Sequence, residues 1–161
     1  LVLDEEVFAV VLALSIVASA LGIALTLGPG NPEPFTAIGL LNEECKIGGY
    51  PATAVNGSGV RLCISVANHL GHPAYFKVVY KLATNESLPN SSSPSPEQAV
   101  MEWRAVLGDG EERLFLITAP VYTLRGEYRV VLVFELWIYS TSGGGWSYTG
   151  RWNHYHISVV V

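Results

Sequence analysis

The chain has 161 residues, half of them apolar and only 14% charged, with a formal net charge of −5. That length holds one domain plus an appendage, and the composition is too apolar for an ordinary soluble domain. An acidic balance with no basic stripe speaks against nucleic acid as the main ligand.

The apolar excess is concentrated at the start. No charged residue lies between Glu6 and Glu33. Residues 7–27 form a run of about 31 Å as a helix, which matches the hydrocarbon core of a bilayer. The flank Asp4, Glu5, Glu6 is unlike the basic n-region of a secretory signal peptide. Position 1 is Leu rather than Met, so the numbering is expected to begin at a processed end. No Lys or Arg follows until Lys46, which predicts an external location for the remainder. Within the run, Ala9 and Ala13, Ser15 and Ser19, Ala18 and Gly22, and Ala20 and Ala24 are small-xxx-small pairs. Such pairs let helix backbones approach closely away from water. Asp4, Glu5 and Glu6 complement the positive end of the helix dipole, and an acid entering an apolar bundle calls for a cation to meet it.

Residues 28–34 hold three prolines and two glycines, which predicts a helix stop and a stiff linker. From residue 35 onward the pattern becomes β-rich, with strands expected over 35–41, 59–67, 74–83, 100–107, 113–118, 127–139 and 152–161. Turn clusters separate them, among them residues 56–59, 71–73, 108–110 and 142–145. Seven strands at this spacing predict an antiparallel β-sandwich, so the chain reads as mainly β, with a helix over 1–27, a linker over 28–34 and a sandwich head over 35–161. Along the sixth strand, Tyr128, Val130, Leu132, Phe134, Leu136 and Ile138 share one face. The opposite face mixes Val131 and Val133 with Glu135 and Trp137, and is expected to meet something other than plain solvent. Residues 85–96 are dominated by Ser and Pro and read as an exposed, mobile loop.

Cys45 and Cys63 form an even pair in an outward-facing chain, which predicts a disulfide, with two buried thiols as the alternative. Asn56, Asn85 and Asn90 head Asn-x-Ser sequons in predicted loops and are candidate glycosylation sites. His154 and His156 project from one strand face, but no acid or thiol of matching spacing accompanies them, so neither a metal nor a cofactor is expected. No nucleophile elbow, phosphate loop or zinc-protease motif occurs, and no catalytic residue is assigned. Trp146, Tyr148, Trp152 and Tyr155 flank the glycines of residues 143–145 and are candidates for stacking on sugars or on a partner surface, as well as for cross-strand packing.

An acidic residue at position 5, about twenty apolar residues and then an external head together resemble the type IV pilin family over residues 1–27, with Glu5 at the place of that family's acid. The resemblance implies cleavage of a leader before Leu1, insertion of the precursor in the plasma membrane, and release of the helices into the core of an extracellular filament. There Glu5 would meet the Leu1 amine of a neighbouring identical subunit. It further implies an immunoglobulin-like head of the archaeal kind and a role in adhesion to a surface or glycan. Leu1 stands where bacterial members prefer Phe, and Asp4 and Glu6 share the candidacy for pairing. In the head, Gly49-Tyr50-Pro51 and Val66-Ala67-Asn68-His69 resemble an uncharacterised family of archaeal membrane proteins with sandwich domains. Two other readings share the layout: a singly anchored cell-surface binding module and an archaeal flagellar filament subunit.

Overall fold

The computed structural model describes residues 4–28, 30 and 32–161. The chain divides into two compact units, Leu1–Glu33 and Pro34–Val161. The first contains helix α1 (Glu5–Thr26), with Asp4 at its N-cap and Leu27 at its C-cap. Apolar residues surround α1 on all sides, so no face is set aside for a protein core.

The second unit is a two-layer sandwich of immunoglobulin-like type. Eight strands build it: β1 (Phe35–Leu41), β2 (Thr53–Val55), β3 (Ser58–His69), β4 (Ala74–Ala83), β5 (Met101–Leu107), β6 (Glu112–Val121), β7 (Arg129–Ser140) and β8 (Gly145–Val160). One sheet has the order β1-β3-β6 and the other the order β2-β8-β7-β4-β5. The alternation anticipated along β7 holds from Val130 to Leu136, whereas Tyr128 lies before the strand and is exposed. Val130, Leu132, Phe134 and Leu136 point into the core between the sheets, where they meet Leu62, Ile64, Phe76 and Tyr80. Tyr80 donates its buried hydroxyl to the Pro120 carbonyl at 2.8 Å, and burial pushes its pKa up.

Three expectations need correction. An eighth strand, β2, is present, and its pairing with β8 is parallel, whereas the other strand pairs are antiparallel. Strand β8 begins at Gly145 rather than at residue 152, because a register shift between Glu135 and Trp137 lets the strand pass Thr149-Gly150 without ending. Residues 84–98 are not a loose loop. They open with a 3₁₀ turn (Asn85–Ser87) and lie as a strap over the outer face of the large sheet, burying Ser87 and Ser95.

Candidate functional site

The strap divides the outer face of the large sheet into a covered part and an uncovered part. Under the strap, Val131, Val133 and Ala83 form a second apolar cluster that Leu88 and Trp152 close. Beside them Glu135 is fully buried. It accepts from the Ser95 amide at 2.6 Å and from Trp137 Nε1 at 3.1 Å, and it pairs with Lys81 Nζ at 3.1 Å. Lys81 also donates to the Ser95 carbonyl at 2.7 Å, so both polar groups of the Ser95 backbone are tied to one ion pair. Tyr148 donates to the Asn90 carbonyl at 2.8 Å. Gly150 lies so close to the Ser91 carbonyl that a side chain there would collide with it, and its φ of +76° is in the left-handed region.

Beyond the strap the face is open to solvent. The register places Lys77 of β4 between Arg104 of β5 and Trp137 of β7, and places Tyr139 of β7 opposite Trp146 of β8. Tyr75 and Trp146 have ring centroids 4.9 Å apart, and Tyr139 meets Trp146 edge-on at 5.4 Å. Lys77 Nζ lies 4.7 Å from the Trp146 ring centre and 5.5 Å from that of Trp137, while Arg104 lies 5.4 Å from Trp146. Glu102 is hydrogen-bonded by Arg104 and stands 3.6 Å from Lys77, and this pairing holds its carboxyl below the usual range.

The predicted recognition residues do not assemble as one group. Trp146 and Tyr148 lie on the outer face, and Trp152 packs beneath the strap. Tyr155 points the other way, stacks on Tyr50 at 5.6 Å and packs against the main core, where burial pushes its phenol up to about 12. Composition drew attention to Trp146 but not to Tyr75, Lys77 and Arg104, which only the sheet register brings beside it.

Among the other predicted residues, Cys45 and Cys63 are joined in a disulfide with Cα atoms 5.2 Å apart. Asn56, Asn85 and Asn90 are all exposed. The Asn85 sequon has its hydroxyl, that of Ser87, buried in a turn where it accepts from the Thr84 amide at 3.0 Å. At Asn90 the sequon's own Ser92 donates both amide and hydroxyl to the Asn90 side-chain oxygen at 2.9 Å, on the surface. Leu1 and, within the linker, Pro29 and Asn31 lie outside the described residues. Asp4, Glu5 and Glu6 are exposed at the start of α1. Among the described residues no three His, Cys, Asp or Glu side chains group as a metal site. His154 and His156 contact each other edge-on at 5.6 Å, and burial followed by the His156 charge lowers the His154 pKa.

Helix α1 is long and apolar enough to cross a membrane, with a mean hydropathy of 2.6 over 18 residues. Its hydroxyl side chains bond within the helix. Ser15 donates to the Val11 carbonyl at 2.8 Å, Ser19 to Ser15 at 2.7 Å and Thr26 to Gly22 at 3.0 Å. No hydroxyl on α1 therefore needs a partner from water, which suits a hydrocarbon surrounding. At about 100° per residue, Ala9, Ala13, Ala20 and Ala24 fall within about 60° of one another, while Ser15, Ala18, Ser19 and Gly22 gather on the far side. Larger side chains such as Leu14 and Leu21, or Ile16 and Ile23, fill the two sectors between these rows.

No protein-family model matches the chain, and no curated protein matches it. Among solved structures it is similar to a CARDB domain from Pyrococcus furiosus, crystallised in complex with di-metal ions. The identity is 12% and the TM-score 0.50, over 83% of this chain and 94% of that one. The likeness is one of fold. Weaker matches include Escherichia coli alpha-2-macroglobulin from domain MG7 to the C-terminus (15% identity, TM-score 0.46, 81% of this chain and 17% of that one). The sporulation control protein Spo0M of Bacillus subtilis is another (15%, 0.45, 78% and 49%).

Proposed function

We propose that the chain is a structural subunit of an extracellular filament of the type IV pilus kind, held in the plasma membrane by α1 before assembly and polymerising through α1 afterwards. Its partners are identical subunits in a helical homopolymer, the head faces outward for adhesion, and the chain acts by assembly rather than by catalysis. The observation that carries the reading is the surface of α1: apolar all round, with small residues in two rows on nearly opposite sides. One small row serves a pair of helices, because small residues let two backbones come close. Two opposed rows let each helix approach one neighbour on either side, as a continuous bundle requires and a lone anchor does not. The acidic start, with Glu5 foremost, supplies a polar contact between subunits.

The test replaces one residue of each row by a bulky one of equal apolarity, Ala13→Leu with Gly22→Leu. Subcellular fractionation should find the variant in the membrane like the wild type, and negative-stain microscopy of sheared surface material should find no filaments. A variant with alanine at positions 4, 5 and 6 should likewise insert and fail to elongate. Normal filaments from both variants, or a wild-type chain present only as a membrane monomer, would sink the reading. The singly anchored binding module keeps one observation in its favour, the open aromatic and cationic half of the large sheet.

A further inference from the structure

Lys77 and Lys81 stand on the same face of β4, four residues apart, in opposite circumstances. Lys81 is covered by the strap and meets a carboxylate and a carbonyl. Lys77 is also largely covered, with its side chain 14% exposed, but it meets one carboxylate oxygen, Glu102 Oε2 at 3.6 Å, an ion pair longer than a direct hydrogen bond. What covers it is aromatic: the faces of Trp137 and Trp146. Cross-strand packing accounts for the ring pairs, but it does not account for placing a cation at their centre, since such a group gives up hydration for cation–π contact and one ion pair with a carboxylate that Arg104 also engages. One carboxylate, Glu102, stands against two cations, Lys77 and Arg104, so this patch carries a surplus positive charge on a chain whose net charge is −5. Tyr75 and Tyr139, at 36% and 40% exposed, present ring surface beside it. Ring faces next to two cations that share a single carboxylate complement a pyranose bearing a carboxylate of its own.

We propose that this open half of the outer sheet face, formed by Tyr75, Lys77, Arg104, Tyr139 and Trp146, is a binding site for an acidic polysaccharide. A sugar ring stacks on the exposed tyrosines and the Trp146 edge, while its carboxylate meets Lys77 and Arg104, which share only Glu102 between them. The strap keeps the remaining half of the sheet closed, so the ligand runs across β5, β4, β7 and β8 above it. The proposal deepens the adhesive role given above and depends on the head facing outward, not on polymerisation.

The experiment uses the full chain, kept monomeric in non-ionic detergent, titrated with alginate oligosaccharide and with a neutral cello-oligosaccharide of the same length. Tryptophan fluorescence and calorimetry supply the readouts. The wild type should bind alginate saturably and the neutral oligosaccharide at least about tenfold more weakly. Arg104→Gln, which leaves every ring in place, should weaken alginate binding by about tenfold, and Trp146→Ala by more, each with an unchanged unfolding midpoint for the rest of the head. If Trp146→Ala disturbs folding, Tyr139→Leu replaces it and should weaken binding in the same direction. Absence of saturable alginate binding, equal binding of the two sugars, or binding that depends on salt but not on Trp146 or Tyr139 would overturn the proposal. Because the measurement needs no filament, its failure is separable from failure of the assembly reading.

Discussion

The buried pair under the strap sets up the sharpest stability experiment. Glu135 receives the Lys81 ammonium, the Ser95 amide and the Trp137 indole while fully excluded from solvent. Glu135→Ala takes this acceptor from all three donors at once and leaves Lys81 with only the Ser95 carbonyl. Removing one partner of a buried ion pair costs about 3 to 5 kcal/mol, a large share of the roughly 5 to 15 kcal/mol of a typical domain. All four tryptophans, Trp103, Trp137, Trp146 and Trp152, lie in the head, so urea unfolding followed by their fluorescence reports the head alone. With a urea slope of about 2 kcal/mol per M, the midpoint should fall by about 2 M. Lys81→Met should cost a comparable amount. The double variant Lys81→Met with Glu135→Leu should lose far less than the sum, because two apolar side chains leave no charge unpaired. Hydrogen exchange at the Ser95 amide should rise strongly in both single variants, since the strap loses its central tie. A loss below about 1 kcal/mol in each single variant, with strict additivity in the double, would refute the reasoning.

Other outcomes follow from the same contacts. Lowering the His154 pKa in the folded state means that the unfolded chain binds more protons. Stability that His154 contributes is therefore present above its ordinary value of 6.5 and lost as pH falls through the lowered value; thermal melts across that window should show the loss in the wild type and not in His154→Gln. Glycan occupancy should be higher at Asn90 than at Asn85, because the Asn90 sequon shows its hydroxyl on the surface and the Asn85 sequon has it buried; glycopeptide mass spectrometry of native material that finds the reverse would count against the argument. Reducing the Cys45–Cys63 bond, with a sequence separation of 18, should lower head stability by about 3 kcal/mol, read as a drop in the urea midpoint with reductant.

Features carried by a single segment were legible in the sequence. The helix Glu5–Thr26, its small-residue pairs and the alternation from Val130 to Ile138 depend only on neighbours along the chain. The mixed outer face of β7, with Glu135 among valines, even announced that something covers it. What covers it was hidden, because residues 84–98 are held chiefly by backbone groups: the Ser95 amide and carbonyl, and the Asn90 carbonyl. Composition reports side chains, and a Ser/Pro-rich segment looks loose even when its main chain is tied at each end. The first half of β8 was concealed for a related reason. The turn cluster at 142–145 and the strand expected from 152 left the residues between them unassigned, whereas Gly150 is the residue that lets the strand pass close beneath Ser91.

The two lysines of β4 turn these points into an internal comparison. Lys77 and Lys81 are about 13 Å apart along one strand face and have the same chemistry. At Lys81 the strap has closed over the sheet and supplied acceptors, so its charge belongs to folding. At Lys77 the strap is absent, and indole faces with one shared carboxylate, Glu102 at 3.6 Å, take its place, so its charge is less fully engaged by the fold. Lys81→Met should therefore shift the urea midpoint and leave alginate affinity largely unchanged, whereas Lys77→Met, which keeps the stem packed on Trp137 and Trp146, should leave the midpoint within about 0.5 kcal/mol of wild type and weaken alginate binding by about tenfold. Equal destabilisation by the two substitutions would show that Lys77 is held for packing, and the division of the sheet face into a structural half and a recognising half would fall with it.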